Sequence, residues 1–345
     1  MRLPEGIGKY KNNNAWISML RIFMTFHVVW IHFRPISYDS FLDRFLLFFV
    51  AVPVPAFMFI SFFLMEEQLW EGNLLYIKKR IIRLIILVLF WNVIVFIYNN
   101  FWNVMVAIFH GKCIGFFSIG DMLESILFNK GLTSQFWFIN IQVLIIFTIF
   151  LLFKLIGNRK AIILLLVVTF VYQYSGVNDS VIRAISENIG TVMKRFVGCV
   201  PVALCGILYA RVMKYKGYRE KLVLLGVLLS LSLVTYKIVP LPPGDYYGGV
   251  FTTIISSVVC IIFLTIPDII SGNARIIINY LGSCMMGVYC LHFMVIDFLS
   301  IIFRDAMPQS RLFMQFFIYG FCLVLTVFLR IISVKIPWKW LSYVI

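Results

Sequence analysis

The chain has 345 residues, of which 62% are apolar and only 13% are charged. Soluble domains are about 45–50% apolar and about 25% charged, so this composition excludes a soluble globular protein. At about 20 residues per span, the apolar stretches are sufficient for about ten transmembrane helices joined by short connections. Membrane proteins collect Lys and Arg in cytoplasmic loops, which explains the formal net charge of +15, so we expect no nucleic-acid partner.

Ten apolar windows follow one another along the chain and predict an all-α, polytopic integral membrane protein. In chain order they are residues 15–33, 41–64, 81–98, 136–153, 160–174, 191–210, 221–238, 249–266, 276–299 and 312–333. Lys and Arg are concentrated in the alternate connections that include the two ends of the chain, which predicts that both termini are cytoplasmic. We therefore expect a cytoplasmic tail over 1–14, a single transmembrane domain over 15–333 and a second cytoplasmic tail over 334–345.

One polar stripe runs along the first predicted span. Arg21 and His32 are eleven residues apart, which is three helical turns and about 20° of rotation, so they share a face roughly 16 Å apart along the axis. Asn14, Ser18 and Thr25 lie on the same stripe. Ionisable groups inside a membrane are costly and are functional candidates by default, so the stripe predicts a water-filled cavity or a polar ligand. The alternative is that Arg21 pairs with a neighbouring helix and that His32 only forms a hydrogen bond at the interface.

Two histidines are predicted to share one site. Tyr289 and His292 are three residues apart and face the same way in the ninth span. Counted from the cytoplasmic ends of their spans, His32 and His292 both lie roughly 25 Å from the inner face of the membrane. Matching depth is what a shared site requires. His27 is rotated away from the polar stripe and is expected to pack against its neighbours.

A second candidate site lies at the cytoplasmic start of the third span. Arg80 and Arg83 are three residues apart and therefore adjacent on one helical face. Two guanidinium groups on one face suit a phosphate-bearing ligand, because each can chelate phosphate oxygens. Anchoring of the helix by basic residues on the cytoplasmic side is the alternative explanation. The seven cysteines show no metal-ligand spacing, and we expect no metal site.

Four short motifs occur in order along residues 15–295. They are Arg21 with His32, then Arg80-Ile81-Ile82-Arg83, then Phe136-Trp137-Phe138, and finally Gly282-Ser283 with Gly287, Tyr289 and His292. Together with ten spans, these motifs resemble those of the membrane-bound acyltransferase family 3. Members of that family O-acylate sugars of bacterial surface polysaccharides and some other acceptors.

The resemblance implies both substrates and a location. It implies a cytoplasmic acyl-CoA donor, usually acetyl-CoA, as co-substrate, with no permanently bound cofactor. The implied acceptor is a hydroxyl of a glycan such as capsule, O-antigen or exopolysaccharide, or of a lipid-linked sugar. The implied location is the bacterial cytoplasmic (inner) membrane, where membrane lipids surround the chain and the outer side receives the acyl group.

The resemblance also implies roles for the candidate residues. His32 would act as general base on the acceptor hydroxyl or as a transient acyl carrier, and Arg21 would line the donor path. Arg80 and Arg83 would hold the phosphates of the donor. The side chains expected to bind the acceptor or line the site are Trp137, Tyr289, His292, Ser283 and Thr25.

A transporter is the alternative function. A polar stripe through a helix bundle suits a conduction path as well as an active site. In that case the protein would export or transport polysaccharide or lipid-linked sugar, and it would show no acyl-CoA turnover.

Overall fold

The computed structural model describes residues 14–32, 52–110, 115–128, 136–174, 187–215, 250–266, 268–302 and 311–335. These residues form ten α-helices and contain no strand, in agreement with the all-α prediction. In chain order the helices are α1 (Ala15–His32), α2 (Pro53–Trp70), α3 (Leu74–His110), α4 (Ile119–Phe128), α5 (Trp137–Ile156), α6 (Asn158–Tyr174), α7 (Glu187–Tyr215), α8 (Val250–Thr265), α9 (Gly272–Ile302) and α10 (Arg311–Lys335).

Six of these helices are long and apolar enough to cross a membrane, as expected of a multi-pass membrane protein. They are α1, α3, α5, α7, α9 and α10, and α8 contains a shorter apolar segment. Nine of the ten predicted windows overlap helices, whereas residues 41–51 of the second window and the whole window 221–238 lie outside the described residues. The count of ten spans and the cytoplasmic position of the termini stay predictions.

Two helices extend well beyond the windows that predicted them. α3 has 37 residues and is therefore about 55 Å long, whereas the hydrocarbon core of a bilayer is about 30 Å thick. α2 begins at Pro53 and continues through Glu66 to Trp70. Hydropathy marks the part of a helix that lies in hydrocarbon, so charged end turns fall outside the predicted window.

α4 is a ten-residue helix in a region that was predicted as a connection. Ser118 and Asp121 form a capping box at its start, in which the Ser118 backbone N–H donates to the Asp121 carboxylate and the Asp121 backbone N–H donates to the Ser118 hydroxyl. The hydrogen bond from the Ser118 backbone N–H lowers the pKa of Asp121 most, and the hydrogen bond from the Ser118 hydroxyl lowers it further. Asn100 and Asn103 of α3 bind the backbone of the preceding segment, 115–118.

The chain divides into two compact units. Unit 1 contains α1, α2 up to Glu66, α7 from Pro201, α8, α9 and α10. Unit 2 contains the end of α2, then α3, α4, α5 and α6, and α7 up to Val200. Pro201 removes a backbone N–H donor inside α7 at the boundary between the two units, so the regular hydrogen-bond ladder is interrupted there.

In unit 1, α1 and α9 pack side by side and run in the same direction. Near their starts, the Ser18 hydroxyl donates to the side-chain oxygen of Asn279 over 2.6 Å. Gly282 allows this close approach, because a Cβ atom there would lie 2.5 Å from the Cβ atom of Ser18. Further along the two helices, His32 contacts His292. A hydrogen-bonded polar pair and a glycine therefore set the register of α1 against α9.

α10 packs against both α1 and α9 and runs in the opposite direction. The Gln315 side chain donates to the carbonyl of Phe26, and the Tyr319 hydroxyl donates to the carbonyl of Ile22. The contacts thus move back along α1 as the chain advances along α10. The start of α1, the start of α9 and the end of α10 therefore lie at one end of unit 1.

α2 and α7 also run in the same direction within unit 1. Gly206 of α7 lies directly against the carbonyl of Phe59 in α2. Near the ends of both helices, Glu66 forms ion pairs with Arg211 and with Lys214, whose Nζ atom lies 2.9 Å from the carboxylate. The Glu66 side chain is 2% exposed, so two cations compensate a buried carboxylate.

In unit 2, α5 packs against both α3 and α6. Gly157 alone joins α5 to α6, with a φ of 82° that favours glycine. The Asn158 side chain at the start of α6 donates to the carbonyl of Trp70. The hairpin of α5 and α6 is thereby attached to the segment that precedes α3.

Candidate functional site

Three aromatic rings meet at the end of α1 in unit 1. The ring centroids of His32 and His292 are 5.0 Å apart, and Phe293 lies 4.2 Å from His32 and 4.5 Å from His292. His32 is the last residue of α1 and is exposed, whereas His292 is completely buried. The structure thus brings together the two histidines that the sequence places at matching depth.

The surroundings of His292 select its tautomer. Its Nδ1 atom forms a hydrogen bond with the carbonyl oxygen of Tyr289, one turn earlier in α9. A carbonyl oxygen can only accept, so Nδ1 carries the hydrogen and the lone pair of the neutral ring lies on Nε2. That Nε2 atom is buried and has no hydrogen-bond partner among the residues that the structure describes. The imidazole beside His32 therefore has an available basic nitrogen.

Three residues of the polar stripe on α1 use their side chains within the protein. Asn14 accepts hydrogen bonds from two backbone N–H groups of the first turn and caps the helix. Ser18 binds α9, as described above, and the fully buried Thr25 donates to the carbonyl of Arg21. These contacts give the three side chains structural roles within the protein. Arg21, which is half-buried, and the exposed His32 are the ionisable members of the stripe.

Ser283 binds an arginine that the sequence reading did not single out. Its hydroxyl donates to the carbonyl of Tyr280 and accepts a hydrogen bond from Arg330 in α10. The Arg330 guanidinium also lies 5.4 Å from the centroid of the Tyr280 ring, which is a cation–π contact. Arg330 lies in the membrane-length part of α10. An arginine inside an apolar window is the sequence signal that could have identified it.

His27 packs against its neighbours, as predicted. Its side chain is 1% exposed, and its ring centroid lies 4.3 Å from that of Phe23. The Nδ1 atom of His27 lies 3.0 Å from the Phe23 carbonyl oxygen, one turn earlier in α1. His27 is therefore a buried histidine outside the ring cluster at the end of the helix.

Arg80 and Arg83 lie in the first turns of α3, in unit 2. Arg83 is exposed, whereas Arg80 is half-buried and its Nε atom is enclosed. In the described part of the chain, nothing accepts a hydrogen bond from that Nε atom. A buried donor without an acceptor costs about 1–3 kcal/mol and is rare in folded proteins. An acceptor atom from a ligand would remove this cost.

Trp137 begins α5, in unit 2, and is 7% exposed. The guanidinium of Arg195, from the part of α7 that belongs to the same unit, lies 4.8 Å from the centre of the Trp137 ring. This cation–π contact covers one face of the indole. A sugar ring that stacks on Trp137 would therefore have to use the opposite face.

The fold and the ring cluster define a class of protein. Two of the membrane-length helices, α1 and α9, bring the exposed imidazole of His32 into contact with the buried imidazole of His292. Imidazole is the side chain most often used for proton transfer near neutral pH. Among the described residues, no group of three or more His, Cys, Asp or Glu side chains could hold a metal ion. The chain is thus a multi-pass membrane protein with two imidazoles in contact, a pair that is chemically able to transfer protons.

A family model described as an acyltransferase domain matches residues 14–334, nearly the whole chain. The chain therefore belongs to the acyltransferase 3 family, as its motifs indicate, and it is a membrane acyltransferase. Neither a curated protein nor a solved structure matches the chain.

Proposed function

We propose that this protein is an O-acyltransferase of the bacterial inner membrane. It moves an acyl group, acetyl above all, from cytoplasmic acyl-CoA to a hydroxyl of a surface glycan such as capsule, O-antigen or exopolysaccharide, or of a lipid-linked sugar. Family membership supports acyl transfer in general. The observation that carries the proposal is the contact between His32 and His292, because a hydroxyl acceptor must lose its proton to a nearby base.

His32 is the base in this proposal. Its imidazole is exposed at the end of α1, so an acceptor hydroxyl can reach it. A ring nitrogen takes the hydroxyl proton while the oxygen attacks the thioester carbonyl, and the tetrahedral intermediate then expels the CoA thiolate. A transient acyl group on His32, formed by attack of the ring nitrogen on the thioester, is the alternative route. Arg21, three turns earlier on α1, lines the path of the donor in either route.

Arg80 and Arg83 are the proposed binding residues for the phosphates of acyl-CoA. The Nε–H group of Arg80 is enclosed, and no described residue accepts a hydrogen bond from it. A guanidinium presents parallel N–H groups that match a pair of phosphate oxygens. Arg80 is therefore preorganised for an anion, and the exposed Arg83 adds a second positive charge on the same helix.

Five residues are the proposed acceptor-binding or site-lining groups. Tyr289 and His292 belong to unit 1 with Ser283 and Thr25, and Trp137 belongs to unit 2. The hydroxyls of Ser283 and Thr25 are engaged in hydrogen bonds within the protein. These two side chains therefore shape their surroundings within unit 1.

Substitution of His32 tests the proposed function. Purified protein in proteoliposomes is supplied with acetyl-CoA and a glycan acceptor, and the release of CoA thiol is followed together with mass spectrometry of the glycan. Loss of the general base in His32→Gln is expected to lower the transfer rate about 10²–10⁴-fold, while the protein still inserts into the membrane. His27→Gln is the matched control, because His27 is a histidine of the same helix outside the ring cluster.

Each outcome of this experiment has a distinct meaning. Normal acylation by His32→Gln would remove His32 from the catalytic machinery. Wild-type protein that releases no thiol from any acyl-CoA tested would contradict acyl transfer and favour export or transport of polysaccharide.

A further inference from the structure

We propose that His292 orients His32 by accepting a hydrogen bond from its second ring N–H during acyl transfer, as a buried carboxylate does for the histidine of a catalytic triad. This inference rests on the proposed function of His32. It gives His292 a positioning role instead of direct contact with the acceptor. The Tyr289 carbonyl would orient His292, and His292 would in turn orient His32.

Burial separates His292 from a bulky acceptor. The His292 side chain is 0% exposed, whereas His32 beside it is exposed. A hydroxyl of a glycan therefore meets His32 first, and His292 acts on the reaction through His32. The structure thus gives the two histidines different access to substrate although they are in contact.

The two rings are in contact, close enough for a small turn of His32 to bring a ring N–H to His292. Their centroids are 5.0 Å apart, and the ring planes are inclined by 38°. With the rings as they stand, no described residue donates a hydrogen bond to Nε2 of His292, and in the proposed arrangement the exposed His32 ring turns to donate to it. Nε2 of His292 is the proposed acceptor, because it carries the lone pair, is buried and has no hydrogen-bond partner in the described ranges.

A general base needs a defined tautomer. A neutral imidazole takes a proton on one nitrogen only while the other nitrogen keeps its hydrogen, and that hydrogen needs an acceptor. Nε2 of His292 supplies the acceptor, so the lone pair of His32 is directed away from His292 and toward the acceptor hydroxyl. Phe293 contacts both rings and restrains them by packing.

The proposed step conserves every proton. His32 takes the proton of the acceptor hydroxyl on one nitrogen and becomes an imidazolium, while the N–H of its other nitrogen stays hydrogen-bonded to Nε2 of the neutral His292. The hydroxyl oxygen bonds to the thioester carbon, and the carbon–sulfur bond breaks when the tetrahedral intermediate collapses. The His32 imidazolium then gives its proton to the departing thiolate, so both rings end neutral and the products are an ester and CoA thiol.

Two substitutions of His292 separate the roles of its nitrogens. His292→Asn keeps an N–H donor near the position of Nδ1, where it can bind the Tyr289 carbonyl, but has no group at the position of Nε2. His292→Gln places an amide oxygen there, which accepts a hydrogen bond from His32. We expect His292→Asn to lower kcat about 100-fold with an unchanged KM for acetyl-CoA, and His292→Gln to recover about 10-fold of that loss.

His27 provides the matched control for these variants. Its Nδ1 atom binds the Phe23 carbonyl in the same way as Nδ1 of His292 binds the Tyr289 carbonyl. His27→Asn and His27→Gln are expected to leave kcat unchanged. Equal losses in the two His292 variants, or losses confined to KM, would overturn the positioning role.

A nitrogen-15 NMR measurement tests the histidine pair independently of turnover. The chain contains four histidines, so histidine labelling gives few ring signals. We expect His292 to have the hydrogen on Nδ1, and its Nε2 signal to shift in His32→Gln but not in His27→Gln. A hydrogen on Nε2 of His292, or an Nε2 signal that ignores the loss of His32, would overturn the inference. The expected signals without any thiol release would instead contradict the proposed function alone.

Discussion

Arg80 differs from the other basic residues at the start of α3 in the burial of its guanidinium. Lys78, Lys79 and Arg83 are exposed, whereas the Nε atom of Arg80 is enclosed, with no acceptor in the described part of the chain. Anchoring at the cytoplasmic surface explains exposed lysines, but it does not require an enclosed donor. A phosphate oxygen that accepts from Arg80 forms a charge-assisted hydrogen bond and removes the cost of the buried donor.

We therefore predict that Arg80→Lys raises the KM for acetyl-CoA about 10-fold with little change in kcat, because Lys keeps the charge but lacks the planar fork and its Nε–H group. The thiol-release assay over a range of acetyl-CoA concentrations measures both constants. Lys79→Gln removes an exposed neighbouring charge and is expected to leave the KM unchanged. Equal effects of the two substitutions would reduce Arg80 to a residue that anchors the helix.

Periodicity and depth were sufficient to predict that His32 and His292 share a site, because both are properties of single helices in a common membrane frame. The contact between Ser283 and Arg330 could not be predicted in this way. It depends on which helices are neighbours and on their relative register, and hydropathy contains neither. The same limit applies to Arg195, whose contact with Trp137 joins two helices that are distant in sequence.

At the scale of helices, the contact between α1 and α9 positions both histidines. Gly282 is the point of closest approach, because any Cβ atom there would overlap with the side chain of Ser18. Ser18 and Asn279 form a buried hydrogen bond in the same place. A change at this point should therefore separate the two helices and weaken the contact between His32 and His292 further along them.

We predict that Gly282→Ala destabilises the protein by about 1–3 kcal/mol through overpacking and also lowers the transfer rate. Thermal unfolding in detergent and the thiol-release assay measure the two effects. Gly320→Ala in α10 is the matched control, since a Cβ atom there meets nothing within 4 Å, and it should not lower the unfolding temperature. A Gly282→Ala variant with the stability and rate of the wild type would show that this glycine does not set the register.

Hydropathy predicted where helices exist better than where they end. The window at 81–98 marks only the central part of α3, which continues to Leu74 on one side and His110 on the other. α4 was missed because hydropathy gives little weight to a ten-residue helix. The pattern Ser118-x-x-Asp121 is visible in the sequence, so capping chemistry carried a signal for this helix that hydropathy did not.

At the scale of the whole chain, the helix directions within unit 1 constrain the number of membrane crossings. Tyr319 binds the carbonyl of Ile22 and Gln315 that of Phe26, so α10 returns along α1 in the opposite direction. The start of α1 and the end of α10 therefore lie on the same side of the membrane. This requires an even number of crossings between them, which agrees with the prediction of ten spans.

The distribution of Lys and Arg predicts that the start of α1 and the end of α10 lie on the cytoplasmic side of the membrane. We expect a fluorescent protein fused to either terminus to fluoresce in the cytoplasm, and alkaline phosphatase fused to either terminus to be inactive. A phosphatase fused after Phe128, in the connection predicted to lie outside, should be active.

Activity at one terminus only would require an odd number of crossings and contradict the helix directions. Activity at both would keep the even number but reverse the orientation, which would place Arg80 and Arg83 outside, away from cytoplasmic acyl-CoA, and would overturn their assignment to the donor.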